Sequence, residues 1–149
     1  MALRHVDLVI AGASFAGLVC ARTAAQRGLK TVVIEAKAEP GARIHTTGIL
    51  VKEAAEEVDT PPRFSRAIHG VRLYAPSLKF IDLATSDYYF LTTDTAALMR
   101  WLAEEAAHAG AEIICGRKVE QAVRQDGNIH LPQFEIVAQA EHRRVSARD

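Results

Sequence analysis

The residues that most restrict what this chain can fold into are 6–18, Val-Asp-Leu-Val-Ile-Ala-Gly-Ala-Ser-Phe-Ala-Gly-Leu. β-Prone and apolar side chains run into Gly12, and helix formers follow from Ala16 onward. The pattern predicts one buried strand over Val6–Ala11, a tight turn, and a helix from about Ser14 to Arg27 that stops at Gly28. The Ser14 hydroxyl is the expected N-cap. Leu18, Ala21 and Ala25 share one helix face, and Ala16 and Ala24 add small residues for close packing on a sheet. This order aims the helix N-terminus, with its unpaired N–H groups and partial positive charge, at whatever lies above the strand. A phosphate suits such a position.

A second strand over Thr31–Glu35 ends in a carboxylate. Strand, helix and strand together take about thirty residues, the size of one right-handed βαβ unit. Glu35 follows the glycine turn by about twenty residues, where an acid at the tip of the second strand accepts hydrogen bonds from adenosine ribose hydroxyls. Gly12 and Gly17 then occupy the first and third positions of the dinucleotide fingerprint G-x-G-x-x-G, with Ser14 in the second. Gly12, Ala13, Ser14, Phe15, Ala16 and Gly17 are the expected pyrophosphate cradle, and Glu35, with Ala36 beside it, the ribose site. A glutamate there disfavours a bound 2′-phosphate through like-charge repulsion.

Further along, Pro40-Gly41 turns the chain into the loop Ala42–Gly48. A short helix is predicted over about Ile49–Val58, ended by Thr60-Pro61-Pro62 because the residue before proline resists helical geometry. From Ile68 the period changes to two. Val71 and Leu73 alternate with Arg72 and Tyr74, Ala75-Pro76-Ser77 turns, and Leu78–Leu83 and Tyr88–Leu91 read as strands of an antiparallel excursion. An amphipathic helix over about Asp94–Ala109 follows, capped by Thr93 or Asp94 and stopped by Gly110. Its expected buried stripe is Leu98, Trp101, Leu102 and Ala106. Ala111–Cys115 reads as a third parallel strand. A β-meander then uses Lys118–Arg124, a turn at Asp126-Gly127-Asn128, and strands near Phe134–Gln139 and Arg143–Ala147. The fold class predicted is α/β: a Rossmann-like domain with a parallel central sheet, an antiparallel excursion and a meander.

Composition narrows the partners. The chain has 149 residues, enough for one domain, and its 18 basic and 18 acidic residues cancel. No field favours nucleic acid or an anionic membrane. Cys20 and Cys115 lack metal-ligand spacing, as do the histidines, so no metal site is expected and both thiols are expected to be buried structural residues. A reducing cytoplasm fits. Asp7, Gly12 and Gly17 interrupt the N-terminal apolar run, which argues against a secretory signal, and the run is too short for a membrane span.

These pieces together resemble the FAD-binding N-terminal part of the glutathione-reductase-type flavoprotein superfamily, and within it the geranylgeranyl reductase and aromatic-ring hydroxylase branch. The residues carrying the resemblance are the Gly12–Gly17 turn, Glu35, the segment Glu-Pro-Gly-Ala-Arg-Ile-His-Thr-Thr-Gly at 39–48, the Leu98-x-x-Trp101-Leu102 helix ending in Ala109-Gly110-Ala111-Glu112-Ile113, and the meander after Cys115. The resemblance implies bound FAD, with NAD(P)H a candidate electron donor and a small molecule as substrate. It places Arg43, Thr46, Thr47 and Gly48 along the diphosphate, ribityl chain or flavin edge, and the backbone near Val119 against adenine. A guanidinium such as that of Arg43 suits anionic oxygens. His45 is a candidate for protonating or orienting a group at the flavin. No catalytic residue is singled out.

Two positions depart from the family pattern. Ser14 puts a Cβ where the chain comes closest to the pyrophosphate, although its hydroxyl can donate to a phosphate oxygen. Thr95 follows Asp94 where the family often has an arginine. The family's second FAD motif and its substrate domain have no counterpart among the 149 residues. The chain is therefore expected to be the N-terminal portion of a longer protein, whose other half is missing or supplied by a partner chain.

Two rivals come from other classes. Gly12-Ala13-Ser14-Phe15-Ala16 is similar to the G-x-S-x-G nucleophile elbow of serine hydrolases, with Ala16 in place of the last glycine. Alternatively, the chain is a nucleotide-binding module without catalysis of its own.

Overall fold

The computed structural model describes residues 3–139, which form two compact units: one from residues up to 40 and from 101 onward, the other from 41–100. In chain order the strands are β1 (Arg4–Val6), β2 (Leu8–Ala11), β3 (Thr31–Ile34), β4 (Ile49–Val51), β5 (Ser65–Ile68), β6 (Gly70–Tyr74), β7 (Phe80–Ala84), β8 (Phe90–Thr93), β9 (Glu112–Ile114), β10 (Val123–Gln125), β11 (Asn128–Leu131) and β12 (Ile136–Gln139). The α-helices are α1 (Phe15–Gln26), α2 (Lys52–Val58) and α3 (Thr95–His108).

In the first unit β2, β3 and β9 form a parallel sheet in the order β2-β3-β9, with Val9 opposite Val32 and Val33 opposite Ile113. Every residue of β3 is buried, as expected for a central strand covered on both faces. Helix α1 packs on β2 and β3 through Leu18, Ala21, Ala24 and Ala25. It ends as expected at Gly28, whose φ of 84° lets its N–H reach the Ala25 carbonyl while the Leu29 N–H reaches that of Ala24. A second sheet runs β1-β12-β11-β10, with β1 parallel to β12 and the rest antiparallel. Val6, Val32, Ile34, Leu131, Phe134, Ile136 and Ala138 form the cluster between these sheets.

The expected single first strand is two. Asp7 breaks it: its carboxylate accepts the Lys30 N–H (2.8 Å), and its own N–H donates to the Lys30 carbonyl (2.9 Å). Residues before it join the second sheet, and residues after it join the parallel sheet. Because β2 has only β3 as a neighbour among the described residues, Leu8, Val9 and Ile10 are half-buried, not enclosed on both faces. Two expected contributions of α1 also fail: Ala16 is exposed and Cys20 lies on the solvent side, while Cys115 is half-buried just after β9.

The meander differs in detail. Lys118–Ala122 is irregular, β10 is confined to 123–125, and Asp126-Gly127 turns directly into β11, which the sequence pattern does not reveal. Pro132–Phe134 forms a 3-10 turn ahead of β12. The strand expected near Arg143–Ala147 lies outside the described residues.

In the second unit β4, β8 and β5 form an antiparallel sheet with β8 in the middle. Ile49–Val51 is therefore strand, not the first turn of a helix. Pairing of Leu50 with Leu91 outweighs its helical spacing to Ala54, and α2 begins only at Lys52. The helix ends on Asp59 in left-handed geometry, just before the two prolines. β6 and β7 make the expected hairpin, with Leu78 in its turn at φ 63° and not in the strand. One face carries the pairs Val71–Leu83 and Leu73–Ile81; the other carries the Arg72–Asp82 ion pair (2.6 Å) and the Tyr74–Phe80 ring pair. Helix α3, whose first residues belong to this unit and the rest to the first, is capped by Asp94: Oδ1 accepts the Ala97 N–H (3.1 Å). Leu98, Leu102 and Ala106 are buried as expected, joined by Met99 and Ala103, whereas Trp101 is only half-buried.

Candidate nucleotide site

The site in the first unit is built where β2 turns into α1. The ladder between β2 and β3 extends one residue past the strand, with the Gly12 N–H donating to the Ile34 carbonyl (2.8 Å). Gly12 adopts φ 103°, a region that residues with a Cβ rarely occupy. The Ala13 N–H then donates to Glu35 Oε2 (2.7 Å), and Ala13 is buried. At Ser14 the backbone becomes extended (φ −87°, ψ 178°), and the first bond of α1 runs from the Leu18 N–H to the Ser14 carbonyl (2.9 Å). The helix itself cannot satisfy the donors of its first turn, and these lie at the mouth of the turn.

Gly17 is required by space. A Cβ there would fall on the Gly12 carbonyl and reach to 3.4 Å from the Ile10 side chain. The third fingerprint position thus lets the helix start close against the strand turn, as the motif's third glycine does. Ser14 is exposed and occupies the N-cap position, but its hydroxyl makes no capping bond, contrary to expectation. The hydroxyl is not held by the helix.

Glu35 sits at the end of β3 and is 9% exposed. Besides the Ala13 bond, its Oε1 accepts the Lys37 N–H (2.8 Å), and its backbone carbonyl accepts the Arg117 N–H (3.0 Å). A buried carboxylate requires such charge-assisted bonds. Cys115 lies nearby: burial pushes its thiol up, and the negative charges of Glu35 and Glu39 push it further. Ala36 is exposed next to Glu35. Val119 is half-buried against the cluster between the two sheets.

The structure therefore brings Gly12–Gly17 and Glu35 together. Arg43, Thr46, Thr47 and Gly48 belong to the second unit and are described within it. Arg43 is exposed with a positive φ of 46°, and His45, Thr46 and Thr47 are exposed. Gly48 is buried at φ 68°; its carbonyl accepts the Thr93 N–H (2.9 Å) and the Thr93 hydroxyl (3.0 Å). Thr93 Oγ1 in turn lies 3.0 Å from Thr95 Oγ1, and a Cβ at Gly48 would collide with that Thr95 oxygen. This threonine pair fixes the end of the 41–48 loop. Sequence reasoning missed it, and the visible signal was the Thr-Asp-Thr run at the start of α3. Gly41 is similarly constrained, with φ 82° and the Ala96 backbone 2.8 Å from where its Cβ would stand.

The backbone at Ser14 lacks the strain of a nucleophile elbow, and its hydroxyl has no histidine partner among the described residues. No cluster of three metal-ligating side chains occurs among the described residues. No helix among them is long and apolar enough to cross a membrane.

A family described as an NAD(P)-binding Rossmann-like domain matches residues 10–77. Digeranylgeranylglycerophospholipid reductase of Methanothrix thermoacetophila is 27% identical over 128 residues, covering 83% of this chain and 33% of that protein. The crystal structure of a geranylgeranyl bacteriochlorophyll reductase-like protein from Thermoplasma acidophilum superposes with a TM-score of 0.76 at 26% identity, over 92% of this chain and 38% of that one. PqsL, a probable FAD-dependent monooxygenase from Pseudomonas aeruginosa, shares the fold with a TM-score of 0.67 at 19% identity, over 91% and 40%. The chain spans about a third of the length of the curated relatives it matches. Fold and comparisons agree on a Rossmann-like α/β fold.

Proposed function

We propose that this chain is the FAD-binding portion of a flavin-dependent oxidoreductase that passes hydride or electrons from a donor to an organic acceptor. The acceptor class is an isoprenoid double bond, a quinone or an aromatic ring, and NAD(P)H is the candidate donor. The observation that carries the reading is the pairing of the Gly12–Gly17 turn with the buried Glu35 carboxylate at the end of the neighbouring parallel strand. Similarity to a digeranylgeranylglycerophospholipid reductase and to a geranylgeranyl reductase-like structure supports the reductase side.

The residues present fit an FAD diphosphate. Gly17 lets α1 start close against the Gly12 turn, the first turn of α1 offers backbone donors, and the exposed Ser14 hydroxyl makes no capping bond to the helix. In this reading Gly12–Gly17 bind the pyrophosphate and Glu35, flanked by Ala36, faces the adenosine ribose. Arg43, Thr46, Thr47 and Gly48 serve the diphosphate, ribityl chain or flavin edge, and the Val119 backbone serves adenine. The flavin supplies the redox chemistry; the protein binds, orients and tunes it. The 149 residues act as one FAD-binding domain within a longer protein or assembly, located in the cytoplasm and working on a small molecule.

The test is the visible spectrum of the purified chain and of the longest protein that contains it. Retained flavin absorbance is expected, and a full-length protein that never retains flavin ends the proposal. Labelling of Ser14 by a fluorophosphonate would instead support the hydrolase reading.

A further inference from the structure

We propose that Glu35 is a positioning residue for the phosphate cradle: its carboxylate latches the glycine turn before any nucleotide arrives, and so acts on a pyrophosphate it does not touch. The inference rests on the nucleotide reading above and departs from it in what Glu35 does. Both oxygens already serve the protein. Oε2 holds the Ala13 N–H and Oε1 the Lys37 N–H, so one side chain ties the residue after Gly12 to the loop that follows β3. The Ala13 bond is buried, with Glu35 at 9% and Ala13 at 3% exposure, and the Lys37 bond is half-buried.

The latch matters because of what stands on either side of Ala13. Gly12 is held through its N–H by the Ile34 carbonyl, and Ser14 begins the extended step into α1. Gly12 and Ala13 are therefore anchored to β3 by two consecutive donors, one bound by backbone and one by the Glu35 side chain. Two fixed amides set the direction in which the next donors, from Ser14 onward, face. Without the carboxylate, the buried Ala13 N–H loses its partner, and the turn must rearrange to find another. The cost falls on the geometry of the cradle, where a preorganised set of donors binds an anion better than a mobile one.

The experiment uses the full chain with Glu35→Gln and Glu35→Ala. In the ligand-free protein, amide hydrogen exchange followed by NMR is expected to accelerate about tenfold or more at Ala13 and Lys37 in Glu35→Ala. Gly12, held by Ile34, changes less. Glu35→Gln keeps the shape with one acceptor oxygen, so one of the two amides stays protected. Unchanged exchange at Ala13 in both variants overturns the proposal. Binding is then measured with inorganic pyrophosphate, which has no ribose, and with ADP. A positioning role weakens pyrophosphate as well as ADP, with partial rescue in Glu35→Gln. Loss of ADP affinity alone, with pyrophosphate unchanged, overturns it in favour of a pure ribose contact. A wild-type chain that binds neither ligand ends the nucleotide reading, while the exchange experiment still tests the latch by itself.

Discussion

The carbonyl oxygen of Gly12 occupies the space that a Cβ on Gly17 would need. The two glycines are thus constrained for different reasons, Gly12 by conformation and Gly17 by proximity. Gly17→Ala is expected to push the start of α1 off the strand turn and cost at least about 1–3 kcal/mol, as overpacking does. Gly12→Ala meets nothing within 4 Å and is expected to cost about 1–2 kcal/mol of backbone strain. Urea unfolding of both variants separates the cases, and a Gly17→Ala protein as stable as wild type would contradict the close approach.

The Gly48–Thr95 contact predicts non-additive mutations. Gly48→Ala places a methyl against Thr95 Oγ1 and forces a Cβ residue into left-handed geometry. The strain alone is about 1–2 kcal/mol. In a Thr95→Ala background the steric part disappears, so the double variant is expected to lose roughly 0.5–1 kcal/mol less than the sum of the singles. A strictly additive cycle from thermal or urea unfolding would show that the two residues do not meet.

Asp94→Ala removes the acceptor for the Ala97 N–H at the start of α3. A loss of about 1 kcal/mol is expected, with Asp94→Ser or Asp94→Asn retaining most of the stability. Equal losses for all three substitutions would argue against capping.

The two thiols should react unlike one another. Cys20 is exposed, whereas burial, Glu35 and Glu39 hold the Cys115 thiol above its ordinary range. Iodoacetamide at pH about 8 is expected to alkylate Cys20 first, and Cys115 only as the pH climbs past the usual thiol value near 8.5. Glu39→Gln should bring the Cys115 rate up at a given pH. The linkage has the same sign: a thiol whose pKa is raised in the fold contributes stability below the unfolded value, and this is lost as pH rises through the folded one. Mass spectrometry of partially alkylated protein reads the order directly, and simultaneous labelling would contradict the assigned surroundings.

What the sequence made legible was local. The β2–α1–β3 unit is specified by glycine positions, a helical face and a strand-end acid that all lie within thirty-odd residues, and these need no distant partner to be recognised. Errors came where a distant partner decides. Asp7 ends a strand because Lys30 supplies its backbone partners. Ile49–Val51 become strand because β8, some forty residues on, pairs with them. The spacing of Glu35 led to the expectation of a ribose contact, whereas its bonds to Ala13 and Lys37 depend on three-dimensional placement that no periodicity encodes. The exposure of Cys20 was missed because an apolar helix neighbourhood does not say which way a single side chain turns.

The break at Asp7 also bears on the order of assembly during synthesis. β2, α1 and β3 are complete once residue 34 has emerged, and their pairing is local. β1 is made before β2, yet its partner β12 is the last strand described, with Arg4 opposite Ile136. A parallel pairing across such a separation is slow to form because loop closure must precede any gain from contact. β1 therefore waits unpaired until β12 has been made, well after β2, α1 and β3 can pair.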